Sequence, residues 1–168
     1  NNFLDTTNRL LESRVDTEKF SVVRFEKETY IRAFPISVNG HLSEDTNIVA
    51  VKQEIDKIKK EFDLEDKIIG LGVDRIDYTK GIVERMLAID RFLEKYPQYK
   101  KRFVFIQLAA PSRVHIKRYH DLIAEIDELV EKENWKYQDS GWKPIIYLKR
   151  HFSPDEIEPF YGLADLCI

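Results

Sequence analysis

Cysteine is almost missing: Cys167 stands alone among 168 residues. One thiol excludes an internal disulfide framework and fits a reducing compartment, so a cytoplasmic protein is expected. The four histidines, His41, His115, His120 and His151, are scattered, and with the lone cysteine they show no metal-ligand spacing. Neither a metal nor another cofactor is expected. Long apolar runs are absent too, as is a signal peptide, so no membrane span is predicted. Neither sign of charge dominates, with 27 Lys and Arg against 30 Asp and Glu for a net charge of −3. That is no electrostatic footprint for DNA or RNA. Glycine is sparse, at six residues. Gly70-x-Gly72 runs into Asp74 and Arg75 with no third glycine, which argues against an NAD or FAD fingerprint.

What is present reads as a globular chain. Hydrophobic residues make up 43% and charged residues 34%, enough for a sizeable core and too apolar for disorder. The sequence opens without Met and closes on Leu163-Ala164-Asp165-Leu166-Cys167-Ile168, which resembles a strand just beginning. A piece of something longer is therefore expected.

In chain order, Phe3 to Glu12 suggests a short helix. Phe20 to Phe25 and Tyr30 to Val38 read as strands joined at Glu26-Lys27-Glu28, with Pro35 marking an edge or a strand end. Asn39-Gly40-His41 looks like a hinge. Ser43 or Asp45 can cap a helix to about Phe62, whose Ile48, Val51, Ile55, Ile58 and Phe62 recur at steps of three and four. Ile68 to Val73 is a short apolar strand. A helix follows from Ile82 until Pro97 stops it. Arg102 to Leu108 is apolar nearly throughout, as in a parallel sheet covered on both faces. Ser112 is a plausible cap for the long helix that follows, with its apolar stripe from Val114 to Val130. Ile145 to Leu148 is a third strand. Ser153-Pro154-Asp155-Glu156 carries the elements of a capping box, and Ala164 to Ile168 would be a fourth strand. Strand–helix alternation of this kind predicts an α/β fold with a Rossmann-like parallel sheet.

Ligands of open α/β sheets bind outside the carboxyl ends of the strands. Three corners fall there: Asp74-Arg75 through Lys80-Gly81, then Pro111-Ser112-Arg113, then Arg150-His151-Phe152. A guanidinium grips phosphate oxygens in a fork, an ammonium supplies a compact charge, and a glycine leaves backbone open to a ligand. Cations at all three corners suggest a ligand with more than one phosphate-like group. The alternative stays open at this level: Arg75 could pair with Asp74 or Asp77, His151 and Arg113 could be ordinary surface residues, and the cluster could be solvated charge.

These residues also carry a resemblance. Val73-Asp74-Arg75-Ile76-Asp77-Tyr78-Thr79-Lys80-Gly81-Ile82 with Glu84-Arg85 resembles the signature opening the C-terminal domain of trehalose-6-phosphate synthases. The likeness continues through Glu94-Lys95-Tyr96-Pro97, Gln107 to Arg113, and Tyr147-Leu148 with His151-Phe152. Upstream, Asn2-Phe3-Leu4 and Ala33-Phe34-Pro35-Ile36 are similar as well.

The resemblance implies part of a two-domain GT-B glycosyltransferase that moves glucose from a nucleotide-glucose, UDP-glucose first among them, to glucose 6-phosphate with retention. It implies that Arg75 and Lys80 are catalytic and, with Gly81, hold the donor diphosphate. Arg113 would contact the acceptor phosphate, and His151 and Phe152 would lie by the base and donor sugar. Residues 1–40 would be the end of the acceptor-side domain and its linker, and residues 41–168 the first half of the nucleotide-sugar domain. The family's N-terminal glycine-rich loop and its donor-sugar loop are not in this sequence, so the chain alone is expected to be inactive. Homo-oligomerisation of a full-length enzyme stays open. Two other readings share the motif: a glucosylglycerol-phosphate synthase using glycerol 3-phosphate, and a non-catalytic regulatory subunit. Intact Arg75, Lys80 and Arg113 argue against the second.

Overall fold

The computed structural model describes residues 2–36, 45–138 and 141–168. Its backbone contacts divide the chain into two compact units, Asn1–Leu42 and Ser43–Ile168.

In the first unit, helix α1 (Asn2–Leu10) precedes three short strands, β1 (Arg14–Asp16), β2 (Ser21–Arg24) and β3 (Lys27–Tyr30), paired antiparallel in that order. Leu4, Thr7, Ser21 and Val22 are its buried residues among those described. The β2–β3 turn is tighter than the sequence suggests. Arg24 pairs with Lys27, and Phe25 and Glu26 both take positive φ, at 49° and 61°. Positive φ at both central residues is what matches a two-residue turn to the twist of its strands. Lys27 and Glu28 thus belong to the strand. The expected strand from Tyr30 to Val38 is not formed: residues 31–36 are irregular, with Phe34 and Ile36 exposed, and Pro35 has no amide to donate to a ladder. Strand β1 gave no apolar signal and was not expected. The hinge at Asn39-Gly40-His41, the end of that strand at residues 37–38, and the cap at Ser43 lie outside the described residues.

The second unit alternates α2 (Asp45–Glu61), β4 (Ile68–Arg75), α3 (Ile82–Lys95), β5 (Phe103–Ala110), α4 (Lys117–Tyr137), β6 (Ile145–Leu148), α5 (Pro154–Leu163) and β7 (Leu166–Cys167). The four strands form one parallel sheet in the order β6-β5-β4-β7, the α/β architecture that the sequence predicts. Strand periodicity of two sends alternate residues to opposite faces. Phe103 and Phe105 join Met86, Ile89, Leu93, Ile126 and Val130 under α3 and α4. Val104, Ile106 and Leu108 join Ile69, Leu71, Phe160 and Leu163 under α2 and α5. Both faces are therefore covered, which explains why β5 is apolar almost throughout. Gly70 is required by packing: a Cβ there would lie 3.0 Å from both the Phe103 and Phe105 rings.

Two corners differ from expectation. Strand β4 runs two residues past Val73, so Arg75 is its last residue, paired with Ala110 of β5. Helix α4 starts at Lys117 without a side-chain cap. Ser112 therefore caps nothing, because Arg113 takes φ +50° and turns the chain before the helix can begin. The capping box at Ser153 is complete. Ser153 Oγ accepts from the Glu156 amide at 3.3 Å, and Glu156 accepts from the Ser153 amide at 2.7 Å.

Candidate active site

The carboxyl ends of β4, β5 and β6 bring three sequence-predicted residues to one place. Arg75, His151 and Phe152 share the lining of a cavity of about 230 Å³ with Asp74, Leu108 and Ile157. Arg75 is exposed, and no described residue accepts a hydrogen bond or ion pair from it. The carboxylates that could have neutralised it are engaged elsewhere. Asp74 Oδ2 accepts from Arg85 Nη1 at 2.7 Å. Asp77 Oδ1 accepts from the Thr79 amide and hydroxyl, and its Oδ2 accepts from the Tyr119 hydroxyl. An unpaired guanidinium at a strand end keeps its whole fork for an anion.

On the other face of the sheet from Arg75, around Asp74 and under α3, lies a polar network in otherwise apolar surroundings. Gln107 is fully buried in β5 and accepts from Arg85 Nη1 at 2.8 Å, while its amide nitrogen donates to the Leu108 carbonyl. Gly72 makes the room: a Cβ there would stand 2.5 Å from Gln107 Oε1 and 2.7 Å from Arg85 Nη1. Lys80 reaches this network loosely, with Nζ 3.8 Å from Asp74 Oδ1 and a side chain 44% exposed. Gly81 begins α3 with φ +62° and no side-chain cap, and the first-turn amides of α3 have no acceptor within the helix. Positive φ is the reason for glycine here, since a Cβ would meet nothing closer than 3.6 Å.

Arg113 does not line the Arg75 cavity. It joins the first corner through a relay instead. Arg113 Nη1 donates to the Tyr119 hydroxyl at 2.9 Å, and that hydroxyl donates to Asp77 Oδ2 at 3.0 Å. The Thr79 amide, then the Thr79 hydroxyl, hold Asp77 below the usual carboxylate range, and Tyr119 and Arg113 add to this against burial. At the third corner, Arg150 stacks 3.7 Å over the Phe152 ring and pairs with Glu156 at 2.8 Å. That fixes Phe152 against Phe160, while His151 stays exposed.

Sequence reasoning missed Arg85, Gln107 and Tyr119 as parts of the site. Gln107 carried the available signal: an amide in the middle of an apolar strand must find a buried partner. Tyr119 looked like one more apolar position of a helix stripe, and its hydroxyl gave no sign.

Fold and corners together define an α/β domain of the Rossmann-like class, with Arg75, unpaired among the described residues, at the carboxyl edge of the sheet. The chain belongs to glycosyltransferase family 20, whose model matches residues 1–168. It is 31% identical over 167 residues to alpha,alpha-trehalose-phosphate synthase (UDP-forming) A of Dictyostelium discoideum, covering 99% of this chain and 22% of that protein. A Pichia angusta synthase of the same description is 30% identical over 172 residues, covering 99% of this chain and 34% of that protein. Among solved structures, the E. coli protein described as bound with UDP-2-fluoro glucose superposes with a TM-score of 0.76 at 27% identity, covering 98% of this chain and 36% of that one. The chain thus spans between 22% and 36% of the length of these relatives, and its sheet matches part of their GT-B fold. Among the described residues, no helix is long and apolar enough to cross a membrane.

Proposed function

We propose that this chain is the part of a retaining trehalose-6-phosphate synthase that holds the nucleotide-sugar donor, with UDP-glucose as donor and glucose 6-phosphate as acceptor. Residues 1–40 are the end of the acceptor-side domain and residues 41–168 the first half of the donor domain. The observation that carries this reading is Arg75: at the end of β4 it has no partner among the described residues, and it opens on the cavity it shares with His151 and Phe152. Support also comes from the family membership and from relatives described as UDP-forming synthases.

In this reading Arg75 and Lys80 grip the diphosphate, aided by Gly81 and the amides that open α3. Breaking the bond between the sugar C1 and the diphosphate oxygen leaves the electron pair on that oxygen. Cations fixed beside it stabilise the transition state more than the ground state. The acceptor hydroxyl bonds to C1 on the same face, and its proton passes to the leaving phosphate. Arg113 holds the acceptor phosphate, and His151 and Phe152 lie along the base and donor sugar. The 168-residue chain by itself turns nothing over.

Calorimetric titration of the chain with UDP tests the placement. Binding that Arg75→Ala and Lys80→Ala both weaken supports it, and binding indifferent to both refutes it. In the full-length enzyme, Arg75→Ala should lower kcat by about 10²–10³, as loss of one donor to a developing anion does.

A further inference from the structure

The relay between the second and first corners contains a hydroxyl with an unusual position. Tyr119 is 3% exposed and Asp77 9% exposed, while Arg113 is exposed. The phenol oxygen sits between a guanidinium and a carboxylate, accepting from Arg113 Nη1 at 2.9 Å and donating to Asp77 Oδ2 at 3.0 Å. Arg113 and Asp77 are thus joined through a single oxygen, and their opposite charges would draw them into direct contact if nothing stood between them. The other Asp77 oxygen is occupied by Thr79, so Oδ2 is where a collapsing guanidinium would land. The Tyr119 ring is fixed edge-on to Tyr78 at 5.7 Å, and Arg118 stacks 3.8 Å over the outer face of Tyr78. These contacts, with the burial of Tyr119, help to hold the hydroxyl in place.

We infer that Tyr119 is a positioning residue that holds the Arg113 fork off Asp77, so that Arg113 stays free for the acceptor phosphate. The inference rests on the assignment of that phosphate to Arg113. A direct Arg113–Asp77 pair would neutralise the cation and turn its donors inward. The phenol takes one N–H and leaves the remaining four donors of the guanidinium available. It also spends its own proton on the carboxylate, so neither charge is left without a partner.

The test uses the full-length enzyme with UDP-glucose and glucose 6-phosphate. Tyr119→Phe keeps the ring and its packing, and should raise KM for glucose 6-phosphate about tenfold with little change in KM for UDP-glucose. Adding Asp77→Asn, which keeps an acceptor for Thr79 but removes the charge, should bring the acceptor KM back toward the parent value. A merely structural role for Tyr119 would raise both KM values and would not be rescued by a second change. An unchanged acceptor KM in Tyr119→Phe, or no recovery in the double variant, overturns the inference. Arg113→Ala separates the two levels: if it leaves the acceptor KM unchanged, the phosphate assignment itself is wrong. If it raises that KM while Tyr119→Phe does not, only the role of Tyr119 falls.

Discussion

Arg85 Nη1 lies 2.7 Å from one oxygen of Asp74, and Lys80 Nζ lies 3.8 Å from the other. The short contact is between side chains 14% and 13% exposed, and the long one involves a side chain 44% exposed. Asp74 therefore belongs to Arg85, and Lys80 remains available.

Removing Arg85 should reverse that allocation. In Arg85→Ala, Asp74 loses its strong partner and draws Lys80 inward, while Gln107 loses a donor. Breaking a pair this buried should cost about 3–5 kcal/mol, measured by urea unfolding. Affinity for UDP should fall in Arg85→Ala even though Arg85 does not line the Arg75 cavity. Unaltered UDP affinity would mean that Asp74 and Lys80 are independent.

Gly72→Ala tests the space under the network. The new methyl would overlap Gln107 Oε1 and Arg85 Nη1, and overpacking of this kind costs about 1–3 kcal/mol. Thermal unfolding should register the loss. In Gly72→Ala combined with Gln107→Ala the overlap with Gln107 is relieved and only that with Arg85 remains, so the two costs should fall short of adding.

Stability should depend on pH through a pair of carboxyls between α3 and α4. Glu133 is 2% exposed with one oxygen lacking any partner. Burial, then its hydrogen bond to Asp90 and the Asp90 charge, push its pKa above the ordinary 4.5. Lys136 and Lys132 oppose this, and Asp90 itself ends below its ordinary 3.8: burial is outweighed by Lys136, Tyr137 and Glu133 together. An acid with a raised folded pKa binds more protons folded than unfolded in the window above its unfolded pKa. Its stabilising contribution is complete below that value and is lost as pH climbs through the raised one. Asp90 has the opposite sign, contributing above 3.8 and losing that contribution on acidification. Glu133→Gln should therefore stabilise the protein at neutral pH and flatten the fall in stability above pH 4.5. Urea denaturation at several pH values between the two extremes checks this; an unchanged slope would refute it.

A side chain of α4 covers the first residue of β6, at one edge of the sheet. Asn134 of α4 donates to the Ile145 carbonyl at 2.9 Å and accepts from the Ile145 amide at 3.0 Å. These are two of the outward backbone groups through which β6, an edge strand of this sheet, could pair with another chain. Asn134→Ala should cost about 1–3 kcal/mol and promote self-association detectable by sedimentation velocity. A variant that sediments like the parent at high concentration would show the edge to be protected otherwise.

The parallel sheet was legible because its strands are short apolar blocks between amphipathic helices, and such blocks persist whatever surrounds them. Strand β6 and the Ser153 capping box were found at their residues for the same reason: each is a local pattern. The first unit was harder to read. Its β1 has three residues and no apolar alternation, and the Phe25-Glu26 turn lacks the glycine or asparagine that announces positive φ. At the corners, charge identified Arg75 and Lys80 as candidates but could not say which carboxylate each would meet. That depended on Arg85, eleven residues past Asp74, and on Gln107, on the neighbouring strand. Arg113 was visible for its charge, while the φ of +50° that delays α4 and aims Arg113 at Tyr119 left no mark in the sequence.

The order of strands has a consequence for how the molecule is made. Strand β4 is central, with β5 on one side and β7 on the other. The Asp165 carboxylate that opens the β7 side bonds the Ile69 amide across 96 residues of chain. A growing polypeptide therefore carries one bare edge of β4 throughout that interval, about 5–20 s of translation. During that time the most apolar part of the molecule is half-finished and can pair with the wrong neighbour, so the ribosome's pace through residues 70–165 bears directly on the yield of native protein.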